Sequence, residues 1–140
     1  MFKVMGVDHI GIAVNDLDEV GKFWTEQIGI PCTGKEVVAE QKVETSFNPT
    51  PNGSEIELLA ATEPTSPIAK FIEKNGGRGG IQHIALRVDN IENAIADLMA
   101  KGVKMIDEKP RYGAGGAKIA FLHPKATHGV LLEICEHEDR

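Results

Sequence analysis

Two histidines and two glutamates recur as a pattern along the 140-residue chain, and their types suit metal binding. His83 follows His9 by 74 positions, and Glu133 follows Glu57 by 76, in similar surrounding sequences. Imidazole nitrogens and carboxylate oxygens, without a thiolate, form a ligand set for a divalent ion that leaves positions open to water or substrate. The repeat therefore predicts that these four side chains bind one divalent ion.

The segments around the glutamates indicate which way the carboxylates face. Glu133 lies between Leu132 and Ile134 in an otherwise apolar segment, and successive side chains of a strand point to opposite faces. A carboxylate in that position must face a polar cleft or a metal, because burial of an unpaired charge is costly. In the first half, Glu55 would share a face with Glu57, so either could point inward, and the repeat favours Glu57.

The elements that would position these residues begin with a strand and a helix. Residues 7–14 alternate in polarity and are rich in β-branched side chains, which indicates a strand. Asp16 is a predicted helix N-cap, and Gly29 is the predicted end of that helix. One or two strands are predicted over residues 37–47, and another over residues 55–60.

The second half repeats this order. Its predicted elements are a strand over residues 81–88, a helix from about Asn90 to Gly102, and strands over residues 118–122 and 130–136. Between the halves, Ser66 followed by Pro67 predicts the start of a short linking helix. The chain is thus predicted to be one domain over residues 1–140, with β-α-β-β-β modules over about 5–61 and 79–136 and a linker over 62–78.

The composition bounds the class of protein. Hydrophobic residues make up 41% and charged residues 26% of the chain, as is usual for a globular domain. The net charge of −6 argues against a nucleic-acid partner. No apolar run is long enough to span a bilayer and no signal-peptide pattern is present, so no membrane partner is expected. Cys32 and Cys135 lack metal-ligand spacing and favour a reduced cytoplasmic protein, with one disulfide as the alternative.

A basic segment stands out on this acidic chain. Residues 104–125 carry five basic and two acidic side chains, a local charge of +3. Such a segment could recognise an anionic ligand tail, and the predicted contacts are Lys125, Lys118 and Arg111. The alternative is that these are ordinary charges of surface loops, and the sequence leaves both interpretations open.

Taken together and in order, several motifs resemble the methylmalonyl-CoA epimerase family of the vicinal oxygen chelate superfamily. The similar stretches are residues 7–14, 66–72, 80–89, 121–125 and 129–133. The resemblance runs from about residue 5 to residue 136. It implies an α+β fold in which two paired β-α-β-β-β modules form a curved mixed sheet around a metal cleft.

The resemblance also implies an activity. The expected reaction is epimerisation of methylmalonyl-CoA, in which a proton leaves and returns at C2 through a metal-stabilised enolate. The expected cofactor is one divalent ion, with Co²⁺ favoured and Ni²⁺, Mn²⁺ or Zn²⁺ as alternatives. The expected partners are an acyl-CoA substrate and a second copy of the chain in a homodimer.

Two carboxylates are assigned catalytic roles by the same resemblance. Glu44 matches a glutamate that acts as a base in the family, and Glu133 is the second candidate, acting while it also binds the metal. The residues add a geometric expectation: a hairpin through the turn at 48–53 would place Glu44 near Glu57 across the strands.

Relatives with other activities set the alternatives. Glyoxalase I (lactoylglutathione lyase) resembles the chain and shares the ligand set, but its usual Leu-Thr-x-Asn stretch is absent after Glu57. Extradiol dioxygenases use iron with two histidines and one glutamate, so a fourth ligand argues against them. Antibiotic-binding proteins of the same fold do not catalyse a reaction and usually lack the ligands. Fold alone does not separate these functions.

Overall fold

The computed structural model describes residues 1–138 of the chain. The strands in this part of the chain are β1 (Val4–Ala13), β2 (Gly34–Val38), β3 (Val43–Pro49), β4 (Glu55–Ala61), β5 (Gly80–Val88), β6 (Arg111–Tyr112), β7 (Lys118–Phe121) and β8 (Leu132–Glu136). The α-helices are α1 (Leu17–Lys22), α2 (Pro67–Lys74) and α3 (Ile91–Ala100). No helix within residues 1–138 is long and apolar enough to cross a membrane.

The chain forms two compact units whose limits differ from those of the predicted modules. One unit is His9–Gln82, and the other combines Met1–Asp8 with the described residues from His83 onward. The linking helix α2 therefore belongs to the first unit, while the first eight residues belong to the second. The division falls within β1, so the repeat in the sequence does not coincide with the units in the structure.

In the first unit the strand order is β2-β3-β4-β1, with β1 and β4 parallel and the other neighbours antiparallel. Successive residues of β4 enter different apolar clusters. Leu58 packs with Leu17 of α1, whereas Leu59 packs with Ile68 of α2. Because adjacent side chains of a strand point to opposite faces, the two helices cover opposite faces of this sheet.

The helix starts predicted from the sequence are confirmed. The Asp16 carboxylate accepts a hydrogen bond from the backbone N–H of Glu19 at 3.0 Å, and the Ser66 hydroxyl accepts one from Ile68 at 3.2 Å. The Asn90 side chain does the same at the start of α3, at 2.9 Å. These caps satisfy backbone donors that a helix leaves unpaired at its first turn.

The first helix continues in a form that the sequence does not predict. Residues Phe23–Ile28 form a π-helical turn after α1, and Gly29 ends it with a left-handed φ of 92°. The hydroxyl of Thr25 donates to the carbonyl of Gly21 at 2.9 Å. A side chain that bonds the carbonyl four residues earlier competes with the helical ladder, which accounts for the local widening.

In the second unit the strand order is β5-β8-β7-β6, with β5 and β8 parallel. Ile134 packs beneath α3 with Ile91 and Ile95, while Cys135 packs on the other face with Ile119. The amino-terminal segment joins this unit because Lys3 and Asp89 exchange two hydrogen bonds, of 2.9 and 3.1 Å.

Candidate metal centre

The first His–Glu pair lies in the first unit, on neighbouring parallel strands. In the register of β1 and β4, His9 is opposite Glu55 and Gly11 is opposite Glu57. The imidazole Nδ1 of His9 is 3.4 Å from Oε2 of Glu57, and both side chains are 8% exposed. Glu55 is less deeply buried than Glu57, so the structure places Glu57 beside the histidine.

The second pair lies in the second unit and has the same composition. The imidazole Nε2 of His83 on β5 is 3.4 Å from Oε1 of Glu133 on β8, and both side chains are buried. The neighbouring Ile134 faces α3, so Glu133 points to the opposite face, as its place in an apolar segment predicts.

The donor atoms in each unit fit a divalent ion. A separation of 3.4 Å exceeds the usual length of about 2.7–3.2 Å for an N–H···O hydrogen bond. Two ligands at roughly 2.1 Å from one ion, at the tetrahedral angle, are about 3.4 Å apart. Both pairs combine imidazole nitrogen with carboxylate oxygen and exclude most water, which strengthens their attraction for a cation.

An aromatic ring that was not predicted from the sequence as part of the site accompanies the second pair. Phe121 is opposite Glu133 in the register of β7 and β8, and its ring meets that of His83 edge to face, with centroids 5.6 Å apart at 80°. In the first unit Phe47 is opposite Glu57. Phe121 follows Phe47 by 74 positions, the same offset as the histidines, so the repeat itself contained the signal.

The structure does not place Glu44 across the strands from Glu57, and that geometric expectation was wrong. The partner of Glu44 on β4 is Ala60, whereas Phe47 is opposite Glu57. Three positions along a strand reverse the face, so Glu44 lies on the opposite face of the sheet from Glu57. Within β2 and β3, the carboxylate that shares the face of Glu57 is Glu36, which is opposite Thr45 of β3.

Two of the three predicted substrate contacts already have acidic partners. Arg111 forms an ion pair with Asp107 at 3.2 Å and lies over the Phe121 ring, 5.5 Å from its centroid. Asp107 also accepts a hydrogen bond of 2.9 Å from the backbone N–H of Phe121. The guanidinium is therefore held above the ring that packs against His83.

Lys118 and Lys125 differ in whether an acidic side chain pairs with their ammonium group. Lys118 lies 3.3 Å from Glu92, and this hydrogen bond and charge raise the pKa of the Lys118 ammonium above its usual range. Lys125 lies in the turn before β8, where its backbone N–H donates to Nδ1 of His123 at 3.1 Å. Within residues 1–138 its ammonium makes no ion pair, so Lys125 is the more available cation.

The sequence of the chain is similar to a family model and to several known proteins. Residues 8–121 match the family model described as Glyoxalase/Bleomycin resistance protein/Dioxygenase superfamily. The chain is 38% identical over 130 residues to the mitochondrial methylmalonyl-CoA epimerase of Dictyostelium discoideum, which covers 93% of this chain and 77% of that protein. It is 35% identical over 129 residues to the ethylmalonyl-CoA/methylmalonyl-CoA epimerase of Cereibacter sphaeroides, with coverage of 91% and 95%.

A solved structure shows the same similarity in three dimensions. It is a variant of the Streptomyces coelicolor methylmalonyl-CoA epimerase in complex with 2-nitronate-propionyl-CoA. Its TM-score against this chain is 0.89 at 37% identity, over 97% of this chain and 99% of that one. The expected α+β fold of paired modules is thereby confirmed.

Proposed function

Because the chain belongs to the glyoxalase/bleomycin resistance protein/dioxygenase superfamily, we propose that it is an epimerase that inverts C2 of methylmalonyl-CoA. The observation that carries the proposal is the coincidence of two features. The chain is similar to methylmalonyl-CoA epimerases over nearly its whole length, and each of its units holds a buried His–Glu pair with a 3.4 Å separation.

The ligand set follows from the repeat. His9 and Glu57 in one unit, with His83 and Glu133 in the other, are proposed to bind one divalent ion, with Co²⁺ favoured over Ni²⁺, Mn²⁺ or Zn²⁺. When bound, the ion supplies positive charge that stabilises the negative charge developing on the thioester oxygen as C2 loses its proton. The two glutamates bring two negative charges, so the ligand set itself would balance a dication.

The chain's carboxylates would move the proton. Inversion requires a base on one face of C2 and an acid on the other, and the family resemblance assigns these roles to Glu44 and Glu133. The register of β3 separates Glu44 from Glu57, and Glu36 of β2 is a carboxylate on the same face as Glu57. The assignment to Glu44 therefore stays a prediction to be tested against Glu36.

The substrate tail would be bound by the basic segment. Lys125 is proposed to pair with a phosphate of coenzyme A. Arg111 and Lys118 are proposed to add positive charge nearby, although each also has an acidic partner. A homodimer in the cytoplasm remains the expected state of the protein.

One experiment separates this function from its alternatives. The protein, loaded with Co²⁺, is incubated with one epimer of methylmalonyl-CoA in D₂O, and deuterium at C2 and formation of the other epimer are followed. A parallel assay uses the methylglyoxal–glutathione adduct, the substrate of a glyoxalase I. Exchange and inversion of the acyl-CoA support the proposal. Turnover of the adduct alone would assign the chain to the lyases, and inactivity on both would favour a binding protein.

A further inference from the structure

A second group of metal-ligating side chains, made of residues other than the two His–Glu pairs, lies in the second unit. Asp8, Cys135 and His137 each offer one donor atom, and these three atoms all lie within 4.8 Å of one another. Asp8 and Cys135 are almost completely buried, at 2% and 1% exposure, whereas the side chain of His137 is 19% exposed. The group therefore sits at the edge of the protein interior, where a small ion can enter.

The strands explain how the three side chains meet. Alternation along β8 and the residue after it puts Cys135 and His137 on one face. The intervening Glu136 turns to the other face, where its carboxylate accepts a hydrogen bond of 2.8 Å from the N–H of Ile91 at the start of α3. Asp8 approaches from the first strand of the chain, and its Oδ1 lies 2.7 Å from Nε2 of His137.

The donor chemistry differs from that of the His–Glu pairs because it includes sulfur. One carboxylate oxygen, one thiol sulfur and one imidazole nitrogen are all ligands that Zn²⁺ accepts, and three protein ligands leave its fourth position to water. We propose that Asp8, Cys135 and His137 form a second metal site that binds Zn²⁺.

The present distances suit such a site after small movements. Tetrahedral Zn²⁺ with bonds of about 2.0–2.3 Å holds its ligand atoms roughly 3.3–3.7 Å apart. The His137–Asp8 contact of 2.7 Å must open by less than about 1 Å, with the ion in place of the shared hydrogen. His137 lies beyond the end of β8 and is partly exposed, so its ring can move, while Cys135 loses its proton to bind as a thiolate.

The site would have a structural role. It connects the first strand of the chain to the residue after the last strand, across 129 positions of sequence. An ion that binds only the folded arrangement stabilises it by mass action. A Zn²⁺ ion bound beside the buried Asp8 carboxylate would offset the free-energy cost of burying that charge.

Sulfur makes the site visible without reference to activity. The His–Glu pairs hold only nitrogen and oxygen donors, so thiolate-to-metal charge transfer in the near ultraviolet can come only from a cysteine. The metal-free full-length protein is titrated with Co²⁺ while this band is recorded, and bound metal is measured by elemental analysis after Zn²⁺ loading and dialysis. The variants are Cys135→Ser and His137→Ala, with Cys32→Ser as the matched control because Cys32 is the other, exposed thiol.

We expect a thiolate band in the wild type and in Cys32→Ser. In Cys135→Ser and His137→Ala the band should be lost, and the bound Zn²⁺ should fall by about one equivalent. Circular dichroism checks that the variants are folded. If Cys135→Ser does not fold because Cys135 is buried, His137→Ala still tests the site. His83→Ala should keep the band, which separates this site from the proposed catalytic one. Absence of the band from the wild type would show that the group is only a hydrogen-bonded cluster. An undiminished band in His137→Ala would exclude His137 as a ligand and overturn the three-ligand site.

Discussion

At the scale of single residues, Phe121 connects a proposed metal ligand to a proposed substrate contact. Its ring meets the His83 ring edge to face, and the Arg111 guanidinium also lies over it. Asp107 holds Arg111 through an ion pair and Phe121 through a hydrogen bond from its backbone N–H. The orientation of His83 and the position of Arg111 are thus set by one group of contacts.

Replacement of His83 by alanine tests the ligand assignment. The variant removes one nitrogen donor and leaves Glu133 buried without its imidazole neighbour, so metal content should fall by about one equivalent and activity with it. Elemental analysis after dialysis measures the loss, and His123→Ala in the turn before β8 is the control. Undiminished metal in the folded His83→Ala variant would exclude His83 as a ligand.

The base is tested with a matched pair of isosteric changes. If Glu44 accepts the proton, Glu44→Gln should keep its metal and reduce turnover by about two to four orders of magnitude. Glu36→Gln, on the neighbouring strand, should then have little effect. The reverse result, an active Glu44→Gln and an inactive Glu36→Gln, would move the role to Glu36.

The role of Lys125 can be separated from that of Lys118. Removal of the Lys125 ammonium in Lys125→Ala should raise KM for the acyl-CoA with little change in kcat. The rise in KM should be larger at low ionic strength, because salt screens exposed charge pairs. Lys118→Ala should change KM less, since Glu92 already pairs with Lys118. Equal KM values for Lys125→Ala and wild type at low salt would remove Lys125 from the substrate site.

At the scale of elements, local chemistry predicted the helix starts but not the strand pairing. Asp16, Ser66 and Asn90 cap helices through hydrogen bonds within three residues, and such short-range contacts can be inferred from the sequence. The register of β3 against β4 depends on the geometry of the turn at 50–54. A shift of one position in that turn moves every side chain of the strand to the other face of the sheet. That dependence is why the position of Glu44 was predicted incorrectly.

Gly79, the residue before β5, makes a close approach that only glycine allows. A Cβ at Gly79 would lie 2.3 Å from the carbonyl oxygen of Ala13, whereas a Cβ at Gly21 in α1 would meet nothing within 4 Å. Gly79→Ala should therefore lower the free energy of unfolding by about 1–3 kcal/mol. Gly21→Ala should raise it by about 0.5–1 kcal/mol, since alanine favours helix. Urea denaturation compares the two, and a neutral Gly79→Ala would contradict the close contact.

At the scale of the whole molecule, the repeat together with the resemblance of several ordered motifs to a known family predicted the family and the fold. Equal offsets of histidine, glutamate and, unrecognised at first, phenylalanine mark two copies of one module. The sequence did not indicate how these copies are divided between compact units, because that depends on contacts such as the Lys3–Asp89 hydrogen bonds between distant positions. The group of Asp8, Cys135 and His137 was missed for the same reason, since its members have no spacing in common.

Because the boundary between the two units lies within β1, expressing the two repeats as separate fragments does not separate the units. A fragment that ends after Gln82 contains every residue of the first unit, but a fragment that begins at His83 lacks the Met1–Asp8 segment of the second. The two halves of the coding sequence are therefore unequal, although each encodes one copy of the repeat. We expect the amino-terminal fragment to form its compact unit on its own. The carboxy-terminal fragment should fold only when residues 1–8 are fused to its carboxyl end, as in a circular permutation.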